Sequence, residues 1–512
     1  MKLIFCLEGG CMSFLENLID NVTKNKLEVL TEIKNSHGYI SYDRLAQNTQ
    51  FEKRTTRKYV DALFLDYQQF NNDKLIFKIK NDQEVKIEYS SYKEFSGFKQ
   101  YITEHTFTIT FFKDLLLGED FSLLELSGKF FISEATIKRR IEQLNKMIAK
   151  YDLKIKSKKA RLRLTGPESQ IRQYAYTFFW ALYKGKKWPF SHVPKERPEK
   201  MLETVFGHAE EIRNLSNIEA IYIVIAINLT RYNRGYTFHF SRKWLRNFFT
   251  EEYLNSEKYW PEMYHISEDE ALFLLILAQM NTKFYLVDEL RIPVVEFHQT
   301  EKTAVHRSVE VFFSYFSKEF TFIDEQKKEA LYSYILSYHL FCFVFDGFET
   351  GTNGYIGSKK ITSDFPNLSK KLYRMIDDLD QETKNEIFKQ KEFLYERYAM
   401  VYSTLDKLAK FEPPISMFID TDFPKLVEES LKIRLERYLG NDFNIHFMNV
   451  ESRKQDEAVD VILATNFVEA FEQMTEEENI IYISGDLDLE DLLRIIAKIQ
   501  TVVKVKSQGS IK

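Results

Sequence analysis

The sequence predicts a multidomain, mainly α-helical protein that ends in a small α/β domain. Three observations lead to this fold class. The chain has 512 residues, whereas a single hydrophobic core stops growing at about 250–300 residues. A series of three helices followed by a β-hairpin is predicted twice near the N-terminus. After Glu412-Pro413-Pro414, short apolar strands alternate with helices, which is typical of a parallel sheet covered by helices.

The first N-terminal series occupies residues 12–95 and has the element order of a winged helix-turn-helix. Its first helix carries apolar residues at spacings of three, and Ser41 can cap its second helix. Its hairpin alternates with a period of two around an Asn81-Asp82 turn. The predicted elements are Lys26–Ser36, a helix after Ser41, a helix that opens at Glu52–Val60, and strands Leu75–Lys80 and Val85–Tyr89.

The second series occupies residues 96–168 and repeats this design. Ser122 and Ser133 can each cap a helix. In the helix after Ser133, four apolar residues lie at i, i+4, i+7 and i+11, which predicts one buried stripe. The predicted elements are Phe107–Leu117, a short helix after Ser122, Glu134–Leu144, and strands Leu153–Ser157 and Ala160–Leu164. The sequence therefore predicts two winged helix-turn-helix units in tandem.

Charge is distributed unevenly along the chain. The total formal charge is −5, but residues 12–165 carry 27 Lys/Arg and 21 Asp/Glu, a net of +6, and residues 166–512 carry the remaining −11. A basic segment on an acidic body indicates that a polyanion binds the basic segment alone. The composition does not favour a protein that coats nucleic acid along its whole length.

The predicted DNA contacts lie on the N-terminal ends of the two recognition helices and on the second hairpin. A recognition helix enters the major groove by this end, and basic side chains on the hairpin neutralise phosphates. For any single residue, a solvated surface position is an equal alternative. The candidates are Lys53, Arg54, Thr55, Thr56, Arg57, Lys58, Ala135, Thr136, Lys138, Arg139, Arg140, Lys158 and Lys159.

The middle of the chain is aromatic-rich and helical by pattern. Segments such as Ile218–Leu229 and Ala271–Ala278 are apolar nearly all round, so we expect them to be central in a bundle or buried at an interface. Two helical bundles, 169–290 and 291–411, account for the length. In residues 412–506, strands and helices alternate. The predicted elements there are strand Ile415–Asp420, helix Phe423–Leu439, strands Phe443–Phe447, Val459–Ala464 and Asn479–Ser484, and helix Leu489–Ile499.

In this organisation the chain resembles the Mga/AtxA family of Gram-positive virulence and global transcription regulators. The resemblance is carried by the domain order together with Glu52–Tyr59, Ser133–Leu144, Leu162–Glu168 with Ile171-Arg172, and Ile415–Asp420. It implies that the two bundles are phosphotransferase-system regulation domains (PRDs) and that the last domain is similar to the transporter enzyme EIIB. It further implies promoter binding, transcriptional activation, control by histidine phosphorylation from phosphotransferase-system carriers, and homodimerisation through the last domain.

Histidines are the residues on which this resemblance places phosphorylation, since an imidazole nitrogen is nucleophilic near neutral pH. His208 and His265 are the candidates in the first bundle, and His306 and His339 in the second. A structural or surface role for each stays open, above all for His339 in its apolar helix. A working EIIB carries a cysteine after its first strand, where this chain has Thr421 and Asp422. An interaction role is therefore favoured for this domain.

No metal-ligand spacing, cofactor motif or framed nucleophile is found in the sequence, so we expect neither an enzyme nor a cofactor. No stretch approaches the ~20 apolar residues of a membrane span, and a cytoplasmic protein is expected. The apolar run Leu3–Leu7 is shorter than the apolar region of a signal sequence. Met12 is an alternative start to Met1. An RNA-binding antiterminator with PRDs is the alternative function, although such a protein would begin with a β-rich domain.

Overall fold

A computed structural model describes residues 14–207, 218–351, 364–448, 459–466, 475–484 and 487–509, apart from residues 16, 258 and 476. The chain divides into two compact units. One comprises Met1–Val309 and Tyr332–Gly357, and the other comprises Glu310–Leu331 and Ser358–Lys512. Helices predominate in the described ranges. None of the helices within those ranges combines the length and apolar composition needed to cross a membrane.

The first unit begins with the predicted order of three helices and a hairpin. Asp20 and Ser41 cap two of the helices by accepting the backbone N–H of Thr23 and Arg44, as short polar side chains commonly do at helix starts. The hairpin is joined by a short extra strand that was not predicted, which gives the antiparallel order β1-β3-β2. The elements are α1 Asn21–Asn35, β1 Ile40–Ser41, α2 Tyr42–Thr49, α3 Lys53–Phe70, β2 Leu75–Lys80 and β3 Glu84–Tyr89.

A helix that was not predicted, α4 (Tyr92–Glu104), leads into the second series. It starts with a capping box between Ser91 and Glu94, and the buried Phe95 and Phe98 fall on one face. The predicted boundary between residues 95 and 96 falls inside this helix. The second series follows as α5 Phe107–Leu116, α6 Leu123–Phe130, α7 Glu134–Ile148, β4 Lys154–Lys158 and β5 Arg161–Thr165.

The rest of the first unit is helical. The helices are α8 Glu168–Tyr183, α9 Glu196–Phe206, α10 Ile218–Asn233, α11 Arg242–Leu245, α12 Glu251–Asn255, α13 Tyr259–Met263, α14 Glu268–Gln279 and α15 Asp288–Thr300. Every residue of α8 from Gln170 onward is buried, which makes α8 the central helix of this unit. The predicted join near Arg291–Pro293 falls inside α15, which contains Pro293.

Helices α16 (Ala304–Glu319) and α17 (Glu325–Val344) contribute residues to both units. The second unit continues with α18 (Pro366–Thr383) and α19 (Lys391–Leu405), and then becomes the predicted α/β domain. Its four strands are parallel in the order β7-β6-β8-β9. The elements are β6 Ile415–Asp420, α20 Lys425–Leu439, β7 Ile445–Met448, β8 Val461–Ala464, β9 Ile480–Tyr482 and α21 Leu489–Gly509.

Candidate nucleic-acid interface

The second recognition helix, α7, is held by one apolar stripe. Its buried residues are Ile137, Ile141, Leu144 and Ile148, the four predicted from the spacing. Ser133 caps the helix by accepting the N–H of Thr136 at 3.3 Å, and Thr136 is half-buried. Ala135, Lys138 and Arg139 are exposed. The N-terminal half of α7 therefore presents a small residue and two cations to solvent, and one of these cations, Lys138, lies 3.9 Å from the carboxylate of Glu134.

Arg140 does not share this outward face, so the prediction that it faces outward is wrong. Its guanidinium lies 3.0 Å from the carboxylate of Asp20 and 5.5 Å from the ring centre of Phe107. Burial raises the pKa of Asp20, but hydrogen bonds from Thr23 and the charge of Arg140 outweigh it and leave the pKa below its ordinary value. Arg140 thus links α7 to the residue that caps α1.

The second hairpin carries a ladder of like charges. Lys156 pairs with Arg163, and Lys158 with Arg161, in the antiparallel register. Like charges directly opposite each other destabilise a β-ladder. The two-residue turn at Lys159 and Ala160 has positive φ at both positions, as a type I′ turn requires. This turn leaves Lys159 exposed at the tip of the hairpin.

Asp120 offsets part of this repulsion. Its carboxylate accepts hydrogen bonds from Arg161 and, at 2.7 Å, from Arg163, and the hydrogen bond from Arg161 is the main reason why the pKa of Asp120 is lowered. Phe121 also exchanges backbone hydrogen bonds with Leu162 at 3.3 and 2.7 Å. The two arginines are therefore occupied with positioning the hairpin, and the sequence did not identify Asp120 as their partner.

Four lysines of the second hairpin remain available to contact phosphates. Lys154, Lys156, Lys158 and Lys159 are exposed, and within the described part of the chain none of them has an acidic side chain within 4.0 Å. We call these four residues the lysine ridge. Lys154 and Lys156 were not among the predicted contacts, although their alternation with the buried Leu153 and Ile155 was a usable signal.

Asn145 holds the hairpin against α7. Its side-chain amide accepts the N–H of Ile155 at 2.6 Å and donates to the Ile155 carbonyl at 3.1 Å. Asn145 lies on α7 and Ile155 on β4, so these two bonds set the position of the lysine ridge relative to Lys138 and Arg139. The local sequence pattern gave no sign of this contact.

The first helix-turn-helix series, residues 12–95, is less suited to binding a polyanion. Lys53, Arg54, Arg57 and Lys58 are exposed and Thr55 is half-buried, but Lys53 lies 2.8 Å from Asp43 and Arg57 lies 3.6 Å from Asp82. Lysines of its hairpin are also paired, Lys80 with Glu84 and Lys86 with Glu88. The prediction that Thr56 faces outward is wrong, because its side chain is fully buried beside Tyr59 and Val60 on the core face.

The predicted phosphorylation sites differ in exposure. His265 is exposed and has a φ of 53°. His306 is half-buried, with Nδ1 at 2.7 Å from the hydroxyl of Tyr332. His339 is fully buried, and burial lowers its pKa to about 3, which fits the structural role that the sequence left open for it. His208 lies outside the described residues.

Comparison with known families places the second series in context. Residues 92–179 match the family described as the Mga helix-turn-helix domain. The match begins at the first residue of α4 and extends through α7, the lysine ridge and most of α8. No curated protein matches the chain.

Proposed function

We propose that this chain is a DNA-binding transcription regulator that uses its second helix-turn-helix unit to bind double-stranded DNA. The observation that carries the proposal is the unpaired lysine ridge beside the exposed cations of α7, within the segment similar to the Mga helix-turn-helix domain. Regulation of transcription through DNA contacts requires no catalytic step, and the proposal includes none.

The geometry suits two kinds of DNA contact, one to base edges and one to phosphates. The N-terminal half of α7 is the part that enters the major groove, with Ala135 small enough to approach base edges. Lys138, Arg139 and the lysine ridge supply six cations for phosphates. If all six make contact, the logarithm of affinity falls with the logarithm of salt concentration with a slope of about −5. The first helix-turn-helix series adds Arg54 and Lys58 as secondary contacts.

The test compares full-length protein binding to promoter duplex DNA and to structured RNA over a salt series. We expect salt-dependent duplex binding that weakens at least tenfold when Lys156, Lys158 and Lys159 are all replaced by Ala. The matched control replaces Lys80 and Lys86, hairpin lysines that are paired to acids. Tighter binding to RNA would favour the antiterminator alternative, and absent duplex binding would overturn the proposal.

We propose that histidine phosphorylation by phosphotransferase-system carriers regulates this binding, as the resemblance to PRD proteins implies. His265 is the acceptor best supported, because it is exposed, and His306 is second. A phosphate adds negative charge and acceptor oxygens that can alter helix packing. Phosphotransfer from a purified carrier to wild type but not to His265→Ala would support the assignment, and equal labelling of both would contradict it.

We also propose that the C-terminal α/β domain mediates homodimerisation. Helix α20 exposes Leu426, Ile433 and Tyr438, and Leu426 is 83% exposed. Exposed apolar patches mark interaction surfaces. In the loop after β6, Thr465 donates a hydrogen bond to the carboxylate of Asp422. A carboxylate at this position would repel a phosphate, so the loop does not suit phosphotransfer. Light scattering on Leu426→Glu with Ile433→Glu should show monomers, whereas Lys425→Glu should remain dimeric.

A further inference from the structure

A cavity of about 310 Å³ lies between helices α14 and α15 in the first unit. Half of its lining residues are aromatic, including Phe206, Phe248, Tyr253, Phe284 and Phe297. A second cavity of about 40 Å³ adjoins it and shares Phe206, Leu275, Ala278 and Phe284 as walls. Three of its lining residues, Thr250, Tyr253 and Pro293, are exposed, so the cavity opens to solvent and a small molecule can enter it.

The packing of the two helices explains how the cavity arises. Residues 271–278 of α14 are apolar nearly all round, yet Leu275 and Ala278 on the cavity side are only half-buried. Helix α15 covers this side poorly. Its one fully buried residue is His298, and it contains Pro293, which lines the cavity. A proline inside a helix cannot donate to the carbonyl four residues earlier. These two helices therefore leave apolar surface that nothing else in the described residues fills.

We propose that this cavity binds an uncharged aromatic small molecule of about two rings. None of the residues that line it is charged, so an ionised group would lose its hydration without a partner. An apolar cavity of ~150 Å³ accepts one benzene, and this one has about twice that volume. Aromatic walls favour offset or edge-to-face contacts with an aromatic ligand.

Gln279 supplies the oriented polar contact that such sites usually contain. Gln279 is one of the lining residues, and its side-chain amide donates to the carbonyl of Phe248 at 3.3 Å and lies 3.5 Å from a ring nitrogen of His298. Both distances are long for hydrogen bonds of their kind, so the amide can turn toward a ligand carbonyl or hydroxyl. The ligand class therefore includes one neutral hydrogen-bonding group on an aromatic frame.

The test titrates the full-length protein with prodan, an uncharged naphthalene dye that carries a carbonyl group, in the absence of DNA. We expect saturable binding of one dye per chain, competed by naphthol. Ala278→Phe projects a ring into the empty space and should weaken binding at least tenfold without lowering the melting temperature. Ala149→Phe, at an exposed alanine away from the cavity, should bind as wild type does.

The proposal is overturned if wild type shows no saturable binding, if several dyes bind per chain, or if Ala278→Phe binds normally. If Ala278→Phe does not fold, Val294→Trp fills the same cavity from the α15 side. It should weaken dye binding in the same way, and normal binding by this variant would overturn the proposal. Because the measurement contains no DNA, its result is separate from that of the duplex-binding test.

Discussion

Arg231 donates two hydrogen bonds to the carboxylate of Glu168, at 2.6 and 2.7 Å, and a third to the carbonyl of Leu116 at 2.7 Å. Glu168 is the first residue of α8, and Leu116 is the last residue of α5. The Arg231 side chain is only 1% exposed. Burial raises the pKa of Glu168, but Arg231 and Arg172 outweigh it, and the pKa lies below its ordinary value. This charge pair fastens the helical bundle to the second helix-turn-helix unit.

Removing one member of this buried pair should be more damaging than removing both. Arg231→Met leaves the Glu168 carboxylate with less compensation, and we expect a loss of about 3–5 kcal/mol in the free energy of unfolding. Arg231→Met with Glu168→Met should recover part of this loss. Urea denaturation followed by circular dichroism measures both variants. Equal stability of the single variant and wild type would contradict the ion-pair assignment, and Arg139→Met serves as the exposed control.

Arg139 and Arg140 are neighbours in sequence with opposite expected roles. Arg139→Ala removes an exposed cation, so duplex affinity should fall several-fold and the salt slope by about 0.9, with unchanged stability. Arg140→Ala removes the partner of Asp20 and should lower the unfolding midpoint. Anisotropy titrations and thermal melts of both variants decide the matter. If Arg140→Ala loses the salt slope while keeping its melting temperature, its inward placement is wrong.

The contact between Asn145 and Ile155 offers a test of how the lysine ridge is positioned. Asn145→Ala leaves the N–H and carbonyl of Ile155 without this partner, and we expect about 1–3 kcal/mol of lost stability together with weaker duplex binding. Gln143→Ala, at an exposed position of the same helix, is the control. Unchanged affinity in a variant that is measurably destabilised would show that DNA binding by the hairpin does not require the hydrogen bonds between Asn145 and Ile155.

Local features of this fold could be predicted from the sequence, whereas features that depend on distant partners could not. Ser41 and Ser133 cap helices within three residues of themselves, so the pattern alone identified them. The inward turn of Arg140 depends on Asp20, which belongs to the other helix-turn-helix series. Both hairpins were predicted by alternation, but the neutralisation of Arg161 and Arg163 by Asp120 requires the tertiary fold.

The same limit applies to burial in the helical middle. Apolar residues all round α14 predicted a fully buried helix, yet Leu275 and Ala278 are half-buried, because α15 packs against them incompletely. Thr56 lies between Thr55 and Arg57, two other predicted contacts of α3, and was assigned with them. The helical period instead places it on the core face near Tyr59 and Val60.

Buried neutral histidines should make the stability of the first unit depend on pH. Burial lowers the pKa values of His298 and His339 to about 3, whereas an exposed histidine titrates near 6.5. Between these values the unfolded chain binds protons that the folded chain does not, so stability falls as pH falls below about 6.5. Each histidine then contributes a slope that approaches about 1.4 kcal/mol per pH unit.

His339→Gln tests this linkage, because it removes the titrating group while keeping a side chain that can bond to Ser308, which lies 2.7 Å from Nδ1 of His339. We expect its unfolding free energy to vary less than that of wild type between about pH 7.5 and about pH 5.5. Other titrating groups are common to both proteins and cancel in the difference. An identical slope for wild type and His339→Gln would show that His339 becomes protonated in the folded protein or gains access to water.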